Sequence, residues 1–390
     1  MGARVSVAPE MLLWATERAG WDSADIEQHM PKLHEWVEGK TSPTLKQLQK
    51  FAKATHTPFG LLFLAEPPEE NVPIPDMRTV RNAEISRPSP DLLDTIYLCQ
   101  SRQDWYRAYA QDNGIERLDF VGSVTTDTSP VQVASQIRSL LDFDIEQRAK
   151  FPTWENALRN LIDKIEEVGI LVMVSSIVGG NTHRKLNPAE FRGFALSDPI
   201  APLIFVNGAD TKAAQIFTLI HEIGHIFLGR DALSNAAMGI KNDSEPIIGK
   251  FDELWCNQVA AEVLVPIATL LNEVEETTEN MNLDQLARKF KVSTLVVLKR
   301  LYDAKFLTWG EYQQSYDTEF ARVIELGKKN EAQSQGNYYN TLPRHISRQF
   351  AKSVIISALE GSTSYRDAYT LLGTKKHKTF ENLAEHLGVR

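Results

Sequence analysis

His221, Glu222 and His225 stand as His-Glu-Ile-Gly-His inside TKAAQIFTLIHEIGHIFLGR (211–230). Apolar residues recur at helical spacing through that stretch, with Thr211 placed to cap it and Gly229 to stop it. On a helix, histidines four apart lie one above the other, about 5–6 Å between Cβ atoms. Both imidazoles can then converge on one zinc ion at about 2.0–2.1 Å. Glu222 falls on the adjoining face, where it can reach a metal-held water instead of the metal. Two histidines and a glutamate on so apolar a helix are costly to bury without a partner. Gly224 costs such a helix about 1 kcal/mol relative to alanine, which marks close approach by another backbone.

A catalytic zinc needs three protein ligands and one open position. FDELWCNQVAAEVLVP (251–266) can supply the third. Asp252–Val265 reads as a second helix, broken at Pro266. Glu253 is the expected ligand, with Asp252, Cys256 and Glu262 as competitors. Asn257 lies four residues after Glu253 and shares its face, which suits a contact to a ligand or to substrate. Hydrolysis of a peptide would also need a donor for the developing oxyanion, and His183, Tyr338 and Tyr339 are the candidates. An extended peptide could align by strand addition along Phe191–Leu196 or Pro202–Asn207.

HEIGHIFLG followed by ELWCNQVAAEVLVP resembles the ImmA/IrrE family of zinc metallopeptidases, whose second motif reads roughly E-x-x-A-N-x-F-A-A-x-L-L-M-P. Here Cys256, Val259 and Val265 replace Ala, Phe and Met, all apolar exchanges. The resemblance spans about residues 8–310. It implies that His221, His225 and Glu253 bind Zn2+ and that Glu222 is the general base of a gluzincin-like endopeptidase. It also implies a protein substrate, a helix-turn-helix repressor or antitoxin, and a place in a phage-related or toxin–antitoxin circuit.

The elements that must position these groups follow from pattern. Residues 131–142 and 154–168 read as amphipathic helices, and GILVMVSSI (169–177) as a buried strand. FRGFALSD (191–198) and PLIFVNG (202–208) read as two more strands ahead of the histidine helix. Residues 91–112 read as a structural helix with Leu92, Ile96, Trp105 and Tyr109 on one face. The four prolines of EPPEENVPIPDMRT (66–79) make 67–90 an extended linker.

Residues 1–66 read as five short helices: an opening one carrying Met11, Leu12, Ala15 and Ala19, one capped by Ser23, one from Pro31 to Gly39, one capped by Thr44, and a piece after Pro58. LHEWVEGKTSPTLKQLQKFAKATHTP resembles the Xre/Cro-type helix-turn-helix family. By position the groove-reading residues would be Lys32, His34, Glu35 and Lys40. The unit carries seven Lys/Arg against eight Asp/Glu, which is poor neutralisation for phosphate, so docking to a protein competes with DNA as its use.

Residues 282–307 repeat a helix-turn-helix-like pattern inside the domain 91–310, with Leu283, Leu286, Phe290, Val292, Val296, Val297 and Leu301 as its core. The C-terminal region 311–390 reads as helical after a polar loop at 331–337, and Lys375, Lys376 and Lys378 form its densest basic run. The expected fold is therefore α+β and predominantly helical: a helix-turn-helix bundle, a zincin-like domain with a small sheet, and a helical C-terminal region.

The 390 residues carry a net charge of −9, 43% hydrophobic residues and two cysteines. That balance argues against a generally basic nucleic-acid coat and against a disulfide framework. No apolar run is long enough for a membrane span, so a cytoplasmic, non-membrane protein is expected.

Overall fold

The structure, a computed structural model, describes residues 4–77, 88–234, 250–276, 282–330 and 345–389. It is α+β and mostly helical, with a four-stranded sheet and a two-stranded hairpin. Two compact units are distinguished: Met1–Pro73 with Ala83–Tyr97, and Ile74–Asn82 with Leu98–Arg390. Among the described residues no single helix is long and apolar enough to cross a membrane.

The first unit holds α1 (Pro9–Arg18), α2 (Ser23–His29), α3 (Leu33–Val37), α4 (Leu45–Ala54) and a 3-10 turn at Phe59–Phe63. Met11, Leu12, Leu33, Trp36, Leu48, Phe51 and Leu62 form its core. The cap of α2 is Asp22 rather than Ser23. Its carboxylate accepts from the Ala24 and Asp25 amides at 2.8 and 2.9 Å, and a negative group also suits the positive end of a helix. Thr44 caps α4 in a reciprocal box with Gln47.

The second unit carries the chemistry. Its first helix is the latter part of α5 (Pro90–Asp112), from Leu98 onward. There Cys99, Tyr106 and Ala110 are buried, together with Arg102 and Gln103, while Trp105 and Tyr109 are only half-buried. The polar pair has backbone to satisfy. Gln103 donates to the Leu196 and Ala201 carbonyls at 3.0 and 2.8 Å.

Next come α6 (Pro130–Leu140), α7 (Ile145–Ala149) and α8 (Trp154–Glu167). The strands are β1 (Leu171–Ser175), β2 (Ile177–Val178), β3 (Asn181–Lys185), β4 (Gly193–Leu196) and β5 (Leu203–Asn207). The helix α9 (Lys212–Leu228) follows, then β6 (Ala232–Ser234).

The main sheet has the order β1-β5-β4-β6, with β1 and β5 parallel and the other pairs antiparallel. Every residue of β4 and β5 is buried, which explains why all of them up to Asn207 are apolar or glycine. Part of the proline-rich linker also pairs here. Leu233 donates to the Pro75 carbonyl at 2.9 Å and accepts from the Met77 amide at 3.0 Å.

Thr211 caps α9, and Gly229, in the left-handed region at φ 69°, ends it. The helix packs beneath β4 and β5, and all fourteen of its residues from Gln215 to Leu228 are buried. Contact with β4 is so close that a Cβ on Gly193 would lie 2.6 Å from the Thr218 methyl and 3.1 Å from Glu222 Oε1.

The helix α10 (Lys250–Leu264) lies against α9, and α11 (Ile267–Glu276) follows Pro266. Three arginines hold the C-terminal end of α10. Arg138, Arg148 and Arg300 donate to the carbonyls of Glu262, Leu264 and Val265 at 2.7, 2.5 and 2.8 Å. These are the orphan carbonyls at the negative end of the helix, where cations are favoured.

The helices α12 (Leu283–Phe290) and α13 (Thr294–Asp303) bury Leu286, Phe290, Val292, Val296, Val297 and Leu301 in the same core as α9 and α10. Then come α14 (Trp309–Asn330), α15 (Arg348–Leu359), α16 (Tyr365–Leu372) and α17 (His377–His386). Two of these helices, α15 and α16, tie back to α5: Gln349 donates to Tyr106 Oη at 2.7 Å, and Arg102 to the Leu371 carbonyl at 3.0 Å.

Candidate metal centre

On α9, His221, Glu222 and His225 are each completely buried. The facing helix α10 adds Glu253, 5% exposed. The two imidazole Nε2 atoms are 3.2 Å apart. Glu253 places Oε1 3.2 Å from His225 Nε2 and Oε2 3.3 Å from His221 Nε2. These three residues form a buried group that could hold a metal ion.

The donor set fits zinc. Lone pairs of two imidazoles and a carboxylate pointed at one another repel unless a cation lies between them, and His/His/Glu is a common zinc set. Nδ1 of His221 is 3.1 Å from Asn257 Oδ1, an acceptor, and with a metal bound this contact would hold the proton on Nδ1 and leave Nε2 to ligate. Burial works against charge on every group here. Even so, the charges and hydrogen bonds of His221 and His225 hold the Glu253 carboxyl far below the usual range. Glu222 behaves differently. Burial, together with the Glu253 charge, pushes its carboxyl up to about 8 against the pull of His221 and of the nearby Ser234 hydroxyl, and among the described residues neither of its oxygens has a partner at full hydrogen-bond geometry.

The competing ligands are engaged elsewhere. Asp252 is paired with Arg230, and Glu262 with Arg300. Cys256 lies under Gly224, where an added Cβ would meet Sγ at 3.0 Å and the Cys256 backbone at 3.4 Å. Its thiol is raised well above its ordinary value by burial. The glycine in the histidine helix is thus the point where α9 and α10 touch. Both cysteines are free and buried.

Other expectations fall away from the centre or outside view. His183 is exposed on β3, and among the described residues no hydrogen bond or ion pair joins it to the three ligands. Tyr338 and Tyr339 lie outside the described residues. Lys32 and His34 are exposed at and on α3 in the first unit, and Lys40 pairs with Glu38 at 2.6 Å.

The strand-addition expectation needs correction. Neither β4 nor β5 has a free edge, because β5 is flanked by β1 and β4, and β4 by β5 and β6.

Ser234, at the end of β6, was not expected at the site. It is fully buried, with Oγ 3.1 Å from Glu253 Oε1 and 3.4 Å from His225 Nε2. Nothing in its neighbourhood in the chain signals this. It arrives through pairing with Gly193, forty-one positions earlier.

Residues 165–302 match the IrrE N-terminal-like domain, Peptidase_M78. The matched segment runs from the end of α8 almost to the end of α13 and includes all the residues of the buried group. It supports the ImmA/IrrE resemblance and a metallopeptidase of that type. Residues 346–386 match a domain of unknown function, DUF8813, which covers α15 to α17. No curated protein matches the chain.

Proposed function

We propose that the chain is a zinc-dependent endopeptidase acting on a protein, with His221, His225 and Glu253 as ligands and Glu222 as general base. The observation that carries this reading is the convergence of two imidazole nitrogens and the two oxygens of one carboxylate, with contacts of 3.2–3.3 Å, beside the buried carboxylate of Glu222. Zinc held there would act as a Lewis acid on water and on the scissile carbonyl.

The chain's own residues do the rest. Asn257 fixes the His221 ring so that Nε2 faces the group. Glu222, with an affinity for protons raised to near neutrality, can take a proton and return it to the departing amine. The apolar wall of α9 and α10 keeps bulk water out of the site, which strengthens each of these interactions.

The resemblance to ImmA/IrrE peptidases points to a helix-turn-helix repressor or antitoxin as the substrate. Incubating the protein with such partners, alongside Glu222→Gln, tests the reading. Cleavage by the wild type and none by a metal-replete Glu222→Gln is expected. Undiminished cleavage by Glu222→Gln would refute the assigned base.

A further inference from the structure

The group of three has a fourth member of a different chemical type. Ser234 Oγ lies 3.1 Å from Glu253 Oε1 and 3.4 Å from His225 Nε2. Those spacings match the ones among the three ligands themselves, 3.2 Å and 3.3 Å. Atoms set tetrahedrally at about 2.0–2.1 Å from a common centre are about 3.3 Å apart. Oγ thus stands at tetrahedral spacing from two of the three ligand residues, Glu253 and His225, and its side chain is fully buried.

The backbone explains why it is there. β6 runs antiparallel to β4, with Ser234 opposite Gly193 and Ala232 opposite Ala195. Gly193 is the residue whose missing Cβ lets the strand close over Glu222. The register of two short strands thus delivers one hydroxyl to the metal group and lays β6 along the edge of β4. On its other side β6 is held by the bonds of Leu233 to Pro75 and Met77.

We propose that Ser234 is a fourth protein ligand of this centre, its hydroxyl filling the position that a catalytic site keeps for water or substrate. The proposal rests on the metal reading above and refines it. A neutral hydroxyl is a weaker ligand than imidazole or carboxylate, so it can be exchanged. Exchange at Ser234 and release of the β4 edge are the same movement, because one three-residue strand does both. The structure is then the resting form, in which β6 occupies the edge of β4.

Cobalt(II) substitution of the full chain tests this without reference to activity. Ser234→Cys places a thiolate at the proposed vertex. It should bring a sulfur-to-cobalt charge-transfer band absent from wild type, and zinc affinity at least about tenfold tighter. Cobalt bound by Ser234→Cys with no such band would overturn the proposal.

Ser234→Ala guards against misfolding of the larger variant. Water-proton relaxation should show an exchangeable water on the cobalt in Ser234→Ala and none in wild type. Equal relaxation in the two would also overturn the proposal. A wild type that binds no cobalt would remove the metal reading itself, an outcome distinct from either of these.

Discussion

The Nδ1 atom of His221 lies 3.1 Å from Oδ1 of Asn257, one turn along α10 from Glu253. One face of one helix therefore supplies both a ligand and the group that orients another ligand. Loss of such an orienting partner commonly costs 10–100-fold in metal affinity. Asn257→Ala is expected to weaken zinc binding by about that factor, and Asn257→Asp, which keeps an acceptor, to retain it. Competition against a chelator of known affinity gives the comparison. Equal affinities for wild type and Asn257→Ala would show that the contact does not matter.

Gly224 and Cys256 set the distance between the helices that carry the ligands. An added Cβ at Gly224 meets Sγ at 3.0 Å and Cβ of Cys256 at 3.3 Å. Overpacking of this kind costs about 1–3 kcal/mol. Gly224→Ala should lower the melting temperature and loosen metal binding, since it pushes His221 and His225 away from Glu253. Adding Cys256→Ala should restore part of the loss, because it removes Sγ but leaves Cβ. A double-mutant cycle with no coupling between the two positions would contradict the packing account.

Much of this centre is legible in residue spacing because a helix converts sequence period directly into a face. His221 and His225 needed only a period of 3.6, and Gly224 was readable as a contact for the same reason. Ser234 was not legible. β6 is three residues long, too short for an alternating pattern, and its register depends on β4, which lies earlier in the chain. The free-edge expectation failed for the same cause. On α5 Leu92 and Ile96 are buried as expected and Trp105 and Tyr109 only in part, while Arg102 and Gln103, which no apolar pattern marks, are buried to serve backbone carbonyls. Asp22 displaced Ser23 as a cap by one position, within the ordinary uncertainty of a helix end.

Glu166 predicts a pH dependence of stability. It accepts hydrogen bonds from the Ser347 hydroxyl and from the Arg348 amide at 3.0 Å, at the start of α15. Burial outweighs those bonds and pushes its carboxyl from an ordinary 4.5 up to about 7. Between these two values the folded chain holds more protons than the unfolded one. Stability contributed by this group is therefore full below about 4.5, falls as the pH rises towards 7, and is flat above that. The decline is on the order of 3 kcal/mol. Glu166→Gln should remove it, as denaturant titrations at several pH values would show. Parallel curves for the two proteins would contradict this assignment.

The central claim is that His221, His225 and Glu253 hold one metal ion. Elemental analysis of the purified full chain tests it most directly, run on wild type, Glu222→Gln, His225→Ala and Glu253→Ala. About one zinc per chain is expected in wild type and in Glu222→Gln, and strong depletion in the other two. A wild type without metal, or full metal content in His225→Ala and Glu253→Ala, would contradict the account.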